Sequence, residues 1–557
     1  LYTFLRKMIN NFLKNGAKFL LTRQTTILSA ATIIAASIAL SRILGLVRYR
    51  LLATYFGQSI GVLDTYVAAS VIPESIFEIL IFGSISVAFI PVFSSLLAKG
   101  QKKDAWELVS SVINLGLLAF LFLATVLFLF APVFALLIAP GLTHQNPQAV
   151  HLLSNLIRVM LVSQLFFVVS VFLTGILQSF GHFLFPAIAT VFYNLGIIFG
   201  IIFLSPFLGI FGPAWGMVLG AFLHLLIQVP FVLGLGVRFR FKINFSQPAV
   251  RRVLVLMWPR ALNLLAIRAN DLVNVALASL LVQGSIVAFN FAQVLQFVPV
   301  GLFGASIAQA ALPIFSAQIA KNNLDEFKET FLSSFHQILF LCLPIMALIS
   351  ILRIPAVRLV FGAAQFPWPL TIVTGQVLIL FSLSIAAQAL ILLLLRGFYA
   401  FHDPKTPVVI GFISVFLNIF LSIFFILVCK LPVHFLALSY SLSSILNAFV
   451  LLVFFDLKVG RFDRQKLITP FLKLLVASLS MAVALYLPFK VLDTLLDTTR
   501  TINLIILTIV SSSVGILVFV ILAWILKIKE AAVFFTIIKR LQLGRRPLPP
   551  EVLEPPS

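Results

Sequence analysis

Arg42, Arg48 and Arg50 lie in one long apolar run of this sequence, and Arg260, Arg268 and Asp271 lie in another. Asp64, Glu74 and Glu78 fall in a third run, around Pro73, and Arg396 in a fourth. A charge at the centre of a bilayer costs at least about 2.5–3.5 kcal/mol, so such residues face a cavity, a partner or an interface. For Arg50, Arg260 and Arg353 a snorkelling side chain or an internal ion pair is explanation enough. Arg268 and Asp271, three residues apart on one helical face, are spaced to pair with each other. Arg48 and Asp64 lie toward the outer side and are placed to pair across a short loop. Arg42 sits near the middle of its run, out of easy reach of either headgroup layer, and with Arg48 is expected to line a functional cavity. Guanidinium groups in such a cavity suit phosphate or diphosphate, which they bind in bidentate fashion.

The chain has no Gly-x-Ser-x-Gly, no His-Glu-x-x-His and no phosphate loop ending in Gly-Lys-Ser/Thr. The seven histidines are scattered, and Cys342 and Cys429 each sit in an apolar span without a neighbour at ligand spacing. Neither an enzyme activity nor a cofactor is expected. Without a nucleotide-binding module, transport must be driven by an ion gradient or the membrane potential, with the ion unspecified, or run downhill.

The elements that position these charges are membrane helices. The 557 residues are 61% hydrophobic and 10% charged, with a mean hydropathy of +1.15, too little charge to cover a soluble surface. Apolar stretches long enough to cross a hydrocarbon core of about 30 Å recur from end to end. Six spans are expected near 24–56, 62–98, 104–139, 149–180, 184–205 and 211–236, and six more near 250–282, 284–319, 324–361, 369–401, 405–430 and 433–457. A last pair is expected near 468–490 and 503–527. Prolines 73, 91, 299, 313 and 344 are the expected kink points.

The net charge of +22 follows this topology. Lys and Arg cluster before the first span and after spans two, six, eight, twelve and fourteen, all on one side, whereas the opposite loops hold only Lys430, Lys490 and Arg500. That asymmetry places both termini in the cytoplasm and removes nucleic acid as a partner. Residues 1–23, basic and amphipathic without a small-residue cleavage site, read as a cytoplasmic interfacial helix, and the Pro-rich tail from Gly544 as disordered.

An internal repeat organises the spans. Ile85 to Lys99 (ISVAFIPVFSSLLAK) and Ile307 to Lys321 (IAQAALPIFSAQIAK) match at an offset of 222, which also pairs Gly175 with Gly397. The offset covers an even number of spans, so the halves share an orientation and are related by a pseudo-two-fold axis along the membrane normal. The expected fold is an all-α polytopic membrane protein of about fourteen transmembrane helices. Its parts are an N-lobe at 24–240, a C-lobe at 241–460, a terminal helix pair at 461–530 and a cytoplasmic tail at 531–557.

Ser41 to Val47 (SRILGLV) with Arg48, TYFG at 54–57 and Asp64 resemble the opening of the MurJ/MviN lipid II flippase family. AFIPVFS at 88–94, FPAIATVFYNLGIIFG at 185–200 and PAWGMVLGAFLHLLIQVP at 213–230 continue the resemblance. So do LQFVPVGLFGASIAQAALPIFS at 295–316 and RGFYAFHDPKTPV at 396–408. The resemblance implies a MOP-superfamily exporter working by alternating access around a V-shaped cavity between two lobes, with a polyprenyl-tail groove on the last two helices. The implied substrate is the undecaprenyl-diphosphate-linked peptidoglycan precursor, flipped from the inner to the outer leaflet of the bacterial inner membrane. Membrane lipids and cell-wall synthesis machinery are the further candidate partners. Ser41, Arg42, Arg48, Asp64, Arg268 and Arg396 are the expected substrate-binding residues.

The sequence departs from the family where an Arg pair is usual, at Phe77 and Glu78; where an acidic residue is usual, at Phe82; and where Asp-Arg is usual, at Gln293-Val294. Subtracting the repeat offset sets Arg268 opposite Leu46, so Arg268 is expected to supply the second-lobe charge missing at Val294. Three other functions compete: a flippase for another lipid-linked oligosaccharide, a drug exporter, which the arginines disfavour, and a non-transporting membrane scaffold retaining the fold.

Overall fold

The computed structural model describes residues 27–79, 88–236, 239–362, 365–498 and 500–531. The proposed interfacial helix at 1–23, the tail from Gly544 and Phe82 lie outside these residues. Among the described residues every regular element is helical, as expected where backbone polar groups must be satisfied within each segment.

The first six spans are built by α1 (Ile27–Phe56), α2 (Ile60–Phe77) with α3 (Ile90–Ala98), α4 (Lys102–Leu129) with α5 (Ala131–Ile138), then, past the short α6 (Pro140–Gln145), α7 (Pro147–Ser179), α8 (Leu184–Phe199) with α9 (Ser205–Leu208), and α10 (Phe211–Leu226) with α11 (Val229–Gly234). The next six are α12 (Pro248–Ser279), α13 (Ser285–Pro299) with α14 (Ser306–Ala320), α15 (Leu324–Ile351) with α16 (Arg353–Phe361), α17 (Trp368–Ser382) with α18 (Ile385–Ala400), α19 (Lys405–Ile423) and α20 (His434–Lys458). The terminal pair is α21 (Arg464–Leu495) and α22 (Thr501–Ile525). Helical stretches thus stand at all fourteen expected places. Among the described residues eleven are long and apolar enough to cross a membrane alone, and a twelfth is added if α17 and the bent α18 are one span. Of the two outside this set, α1 carries Arg42, Arg48 and Arg50, and α12 carries Arg260 and Arg268.

The repeat is visible in local geometry. A wide π-helical turn follows α2 at residues 78–79, and another separates α13 from α14 at Val300–Ala305, its equivalent under the 222-residue offset. A bend of 43° between α17 and α18 falls at no expected proline. Ser382 and Ser384 hydroxyls there donate to the carbonyls of Ile379 and Phe381, each at 2.7 Å. Such bonds compete with the helical ladder and bend it.

Compactness divides the chain into two units. One comprises 1–291, 360–374 and 418–436; the other comprises 292–359, 375–417 and 437–557. In the first unit α8 packs against α10 through glycine faces. A Cβ on Gly200 would lie 2.5 Å from the Cα of Gly216, and one on Gly216 would lie 2.8 Å from the Gly196 carbonyl. Small residues four apart let membrane helices approach closely, and only glycine fits this crossing. Behind it, buried Gln228 donates to the Ser170 hydroxyl at 2.8 Å, which itself sits 2.5 Å from His224 Nδ1, so α7 and α10 share a satisfied polar link.

The second unit is built on aromatic packing. Phe331 and Phe455, both fully buried, have ring centroids 4.8 Å apart, and Phe315 meets Phe327 at 5.0 Å. Here α21 and α22 pack along one another, and Lys473, inside the apolar α21, donates to the Leu526 carbonyl at 2.9 Å. That carbonyl is one of the orphans at the end of α22, so the ammonium satisfies a helix terminus.

Candidate functional site: a mixed-charge cluster

In the first unit, α1 carries Ser41, Arg42 and Arg48. Ser41 is held by Asn194 of α8, whose amide donates to the Ser41 hydroxyl at 3.0 Å and to its carbonyl at 3.3 Å. Arg42 is exposed and has no hydrogen bond or ion pair among the described residues. Arg48 is half-buried, with its guanidinium carbon 4.8 Å from the ring centroid of Tyr49, and it likewise has no ion pair among them. Six residues of helix separate the two arginines by about 9 Å along the axis.

Asp64 does not pair with Arg48, contrary to the sequence expectation. It is 1% exposed, and its Oδ2 accepts the Gly284 amide at 2.5 Å while Oδ1 accepts the Val287 amide at 2.9 Å. The start of α13 offers unpaired N–H groups and a positive dipole end, which bind a carboxylate more completely than a distant guanidinium would. Gly284 reaches this geometry at φ +95°, open to glycine and strained for other residues.

Arg268 of α12 makes the pair expected with Asp271, Nη1 to Oδ2 at 2.8 Å. It makes a second one that the sequence did not foretell: Nε donates to Glu78 Oε2 at 2.9 Å, and Nη2 pairs with the same oxygen. All three side chains stay partly exposed, at 24% for Arg268, 34% for Glu78 and 27% for Asp271. Arg268 is thus shared between two carboxylates, Glu78 and Asp271.

Glu74 lies one helical turn before Glu78, exposed and without a hydrogen bond or ion pair among the described residues. It is within electrostatic reach of Arg48, Arg268, Glu78 and Asp271. The phenols of Tyr49, Tyr66 and Tyr193 surround the Arg48 side of the cluster. Sequence reading noted both glutamates without assigning them to the site; their four-residue spacing beside Pro73 was the available signal. Arg396 is half-buried on α18, in the other unit, and has no ion pair among the described residues. The Arg260 side chain lies outside the described residues.

A many-span helical protein with an internal repeat, Arg42 and Arg48 without ion pairs among the described residues, and a capped helix start joining the two repeats has the make-up of a membrane carrier. The family described as lipid II flippase MurJ matches residues 52–507, most of the chain, and the chain belongs to that family. Arg42 and Arg48 lie just before the matched stretch, whereas Asp64, Arg268 and Arg396 lie within it. The "Probable lipid II flippase MurJ" of Vibrio cholerae is 28% identical over 415 residues, 73% of this chain and 79% of that protein. The "Lipid II flippase MurJ" of Burkholderia cenocepacia is 26% identical over 378 residues, 67% of this chain and 73% of that one. A solved structure, "Lipid II flippase MurJ, inward closed conformation", superposes with a TM-score of 0.74 at 26% identity, covering 89% of this chain and 98% of that one. An inward-facing multidrug resistance MATE transporter of the MOP superfamily shares the fold, with a TM-score of 0.61 at 15% identity and coverage of 77% and 98%.

Proposed function

We infer that this chain is a flippase for the undecaprenyl-diphosphate-linked peptidoglycan precursor, lipid II, moving it from the inner to the outer leaflet by alternating access. Membership of the lipid II flippase family supports the reaction. The observation that carries the reading to residues is the pair Arg42 and Arg48, two guanidiniums on one helix with no ion pair among the described residues. They supply hydrogen-bond forks and positive charge to a diphosphate, and Ser41, seven residues from Arg48 and so on the same face, adds a hydroxyl. Arg268 joins this set only by releasing Glu78 or Asp271. Arg396, in the second unit, remains a candidate substrate-binding residue in its own right.

Asp64 acts as a latch. It ties α2, in the first half of the repeat, to the first turn of α13, in the second half, and a change of access must loosen that link. The distribution of Lys and Arg supports a bacterial inner-membrane protein with both termini in the cytoplasm. Driving force comes from an ion gradient or the membrane potential. Cell-wall synthesis enzymes, which consume the flipped precursor, are the natural associates.

Glu78 at a position where the family usually has arginine favours one second reading, a flippase for another lipid-linked oligosaccharide. Complementation of a cell depleted of its own lipid II flippase, with precursor accessibility assayed at the outer surface, tests the choice. Restored growth and accessibility are expected; failure by a properly inserted chain overturns the lipid II reading.

A further inference from the structure

Residues 239–247, part of the link between the two halves of the repeat, form no regular element but are fastened along α4. Strap and helix both belong to the first unit. The Asn114 side-chain amide donates to the carbonyls of Arg240 and Lys242 at 2.8 and 3.2 Å. The Ser110 and Ser111 hydroxyls accept the backbone amides of Arg240 and Asn244, each at 3.1 Å. The Asn244 side chain donates to Glu107 Oε1 at 2.7 Å, and that of Gln247 to the Asp104 carbonyl at 2.8 Å. The strap therefore runs antiparallel to α4, from Asn114 back toward its first turn. That register sets its depth. From Leu115 through Ile138, α4 and α5 carry no charged side chain. At 1.5 Å per residue this is about 36 Å of helix, enough to fill a hydrocarbon core of about 30 Å. Asn114 stands at the edge of that stretch, so Arg240 and Lys242, which it holds, lie where the core meets the headgroups.

We propose that this strap is a membrane-surface anchor for anionic phospholipid: Phe239 and Phe241 enter the edge of the hydrocarbon core, and Arg240 and Lys242 meet headgroup phosphates. Phe241 is 92% exposed and Phe239 40%, their rings edge-on with centroids 5.1 Å apart. In water such rings forgo their burial, whereas the bilayer interface is where aromatic side chains are favoured. Arg240 and Lys242 are exposed and hold no ion pair among the described residues. Their bonds to α4 use main-chain atoms, which leaves both cationic groups for a ligand. Of the carboxylates on the facing turns of α4, Glu107 is taken by Asn244, and Asp104 lies at the far end of the strap. Basic residues interleaved with aromatics at an interface draw anionic lipid by charge and by apolar burial together. The anchor is independent of which substrate the chain moves.

The test places the full chain in nanodiscs of phosphatidylcholine and phosphatidylglycerol at equal mole fractions, with bromine on the acyl chains of one lipid or of the other. Phe241→Trp reports contact, its emission taken as the difference from the parent chain. Brominated lipid should quench that emission, at least about threefold more strongly when the bromine is on phosphatidylglycerol. Phe245→Trp, about 5–10 Å farther out along α4, should be quenched less. Adding Arg240→Gln and Lys242→Gln to the Phe241→Trp chain should make the two lipids equal without altering the size-exclusion profile. Raising the salt concentration should shrink the same preference with both basic residues in place, a charge test that needs no second variant. Absence of quenching by either lipid means that the strap stands clear of the bilayer and overturns the proposal. Equal quenching by the two lipids also overturns it, as does a preference that survives the double glutamine change or ignores salt. Stronger quenching of Phe245→Trp than of Phe241→Trp overturns the assigned depth and the proposal with it.

Discussion

Asp64 Oδ1 accepts the backbone amide of Val287 at 2.9 Å, although the two residues are 223 positions apart. Under the repeat offset Asp64 corresponds to Ile286, so this carboxylate caps the helix that is its own segment's counterpart. The neighbouring positions 61 and 283, also equivalents, meet as well: the Gln283 side chain occupies the space a Cβ on Gly61 would need. Equivalent ends of the two halves are thereby joined by a charge-assisted contact.

Removing that cap should be costly. Hydrogen bonds to charged groups contribute about 1.5–3 kcal/mol each, and Asp64→Ala leaves two amides unsatisfied. A fall of several degrees in the detergent melting temperature is expected, with a smaller fall for Asp64→Asn, which keeps one acceptor. An unshifted melt for Asp64→Ala would show that the cap is not structural.

The anion site makes a different demand. Arg42→Ala and Arg48→Ala should insert normally and yet lose flipping by tenfold or more, because neither side chain holds an ion pair among the described residues whose loss would unfold the protein. Arg48→Lys should recover part of the activity, since an ammonium keeps the charge without the planar fork. Leaflet-accessibility assays on reconstituted variants measure this, and full activity in both alanine variants removes them from the site.

The pair Glu78 and Arg268 invites a double-mutant cycle. Each alanine variant strands a partly exposed charge, so each should destabilise more than its share of the double change. A coupling of about 0.5–3 kcal/mol is expected for residues in one ion-pair network. Additive effects in chemical or thermal unfolding would mean that solvent screens the pair completely. The same variants bear on transport: Glu78→Ala frees Arg268 for the diphosphate and should tighten binding of the lipid.

At the glycine crossing of α8 and α10, size alone decides. Gly200→Leu forces a branched side chain against the backbone of Gly216, and should abolish accumulation of folded protein. Gly411, which has open space where a Cβ would stand, should accept alanine with little change. Size-exclusion profiles of the two variants give the comparison.

One pH effect follows from the loop before α19. Burial alone would raise the Asp403 carboxyl, but the Lys458 ammonium at 2.5 Å and the Thr406 amide and hydroxyl outweigh it and hold the group down at about 2. A depressed folded value stabilises the fold above the ordinary carboxyl range and loses that stabilisation as pH falls from about 4 toward 2. Asp403→Asn should therefore lower the melting temperature at pH 7 and make no difference near pH 2. Parallel melting curves that stay separated at acid pH would contradict this.

Helix positions and the internal repeat were legible in the sequence. Helix positions follow from local runs of apolar residues, and the repeat from matched segments such as those ending at Lys99 and Lys321. These signals are local or additive along the chain, so each is readable without knowing what lies beside it. The pairing of Arg268 with Asp271 was legible for the same reason, being one helical turn long. Helix packing, by contrast, gives Arg268 to Glu78 as well and sets Asp64 on a helix start in place of Arg48. Those choices depend on which helices come within hydrogen-bond distance across some 200 residues of chain, and a charge at a given position carries no record of the partner that packing will bring to it.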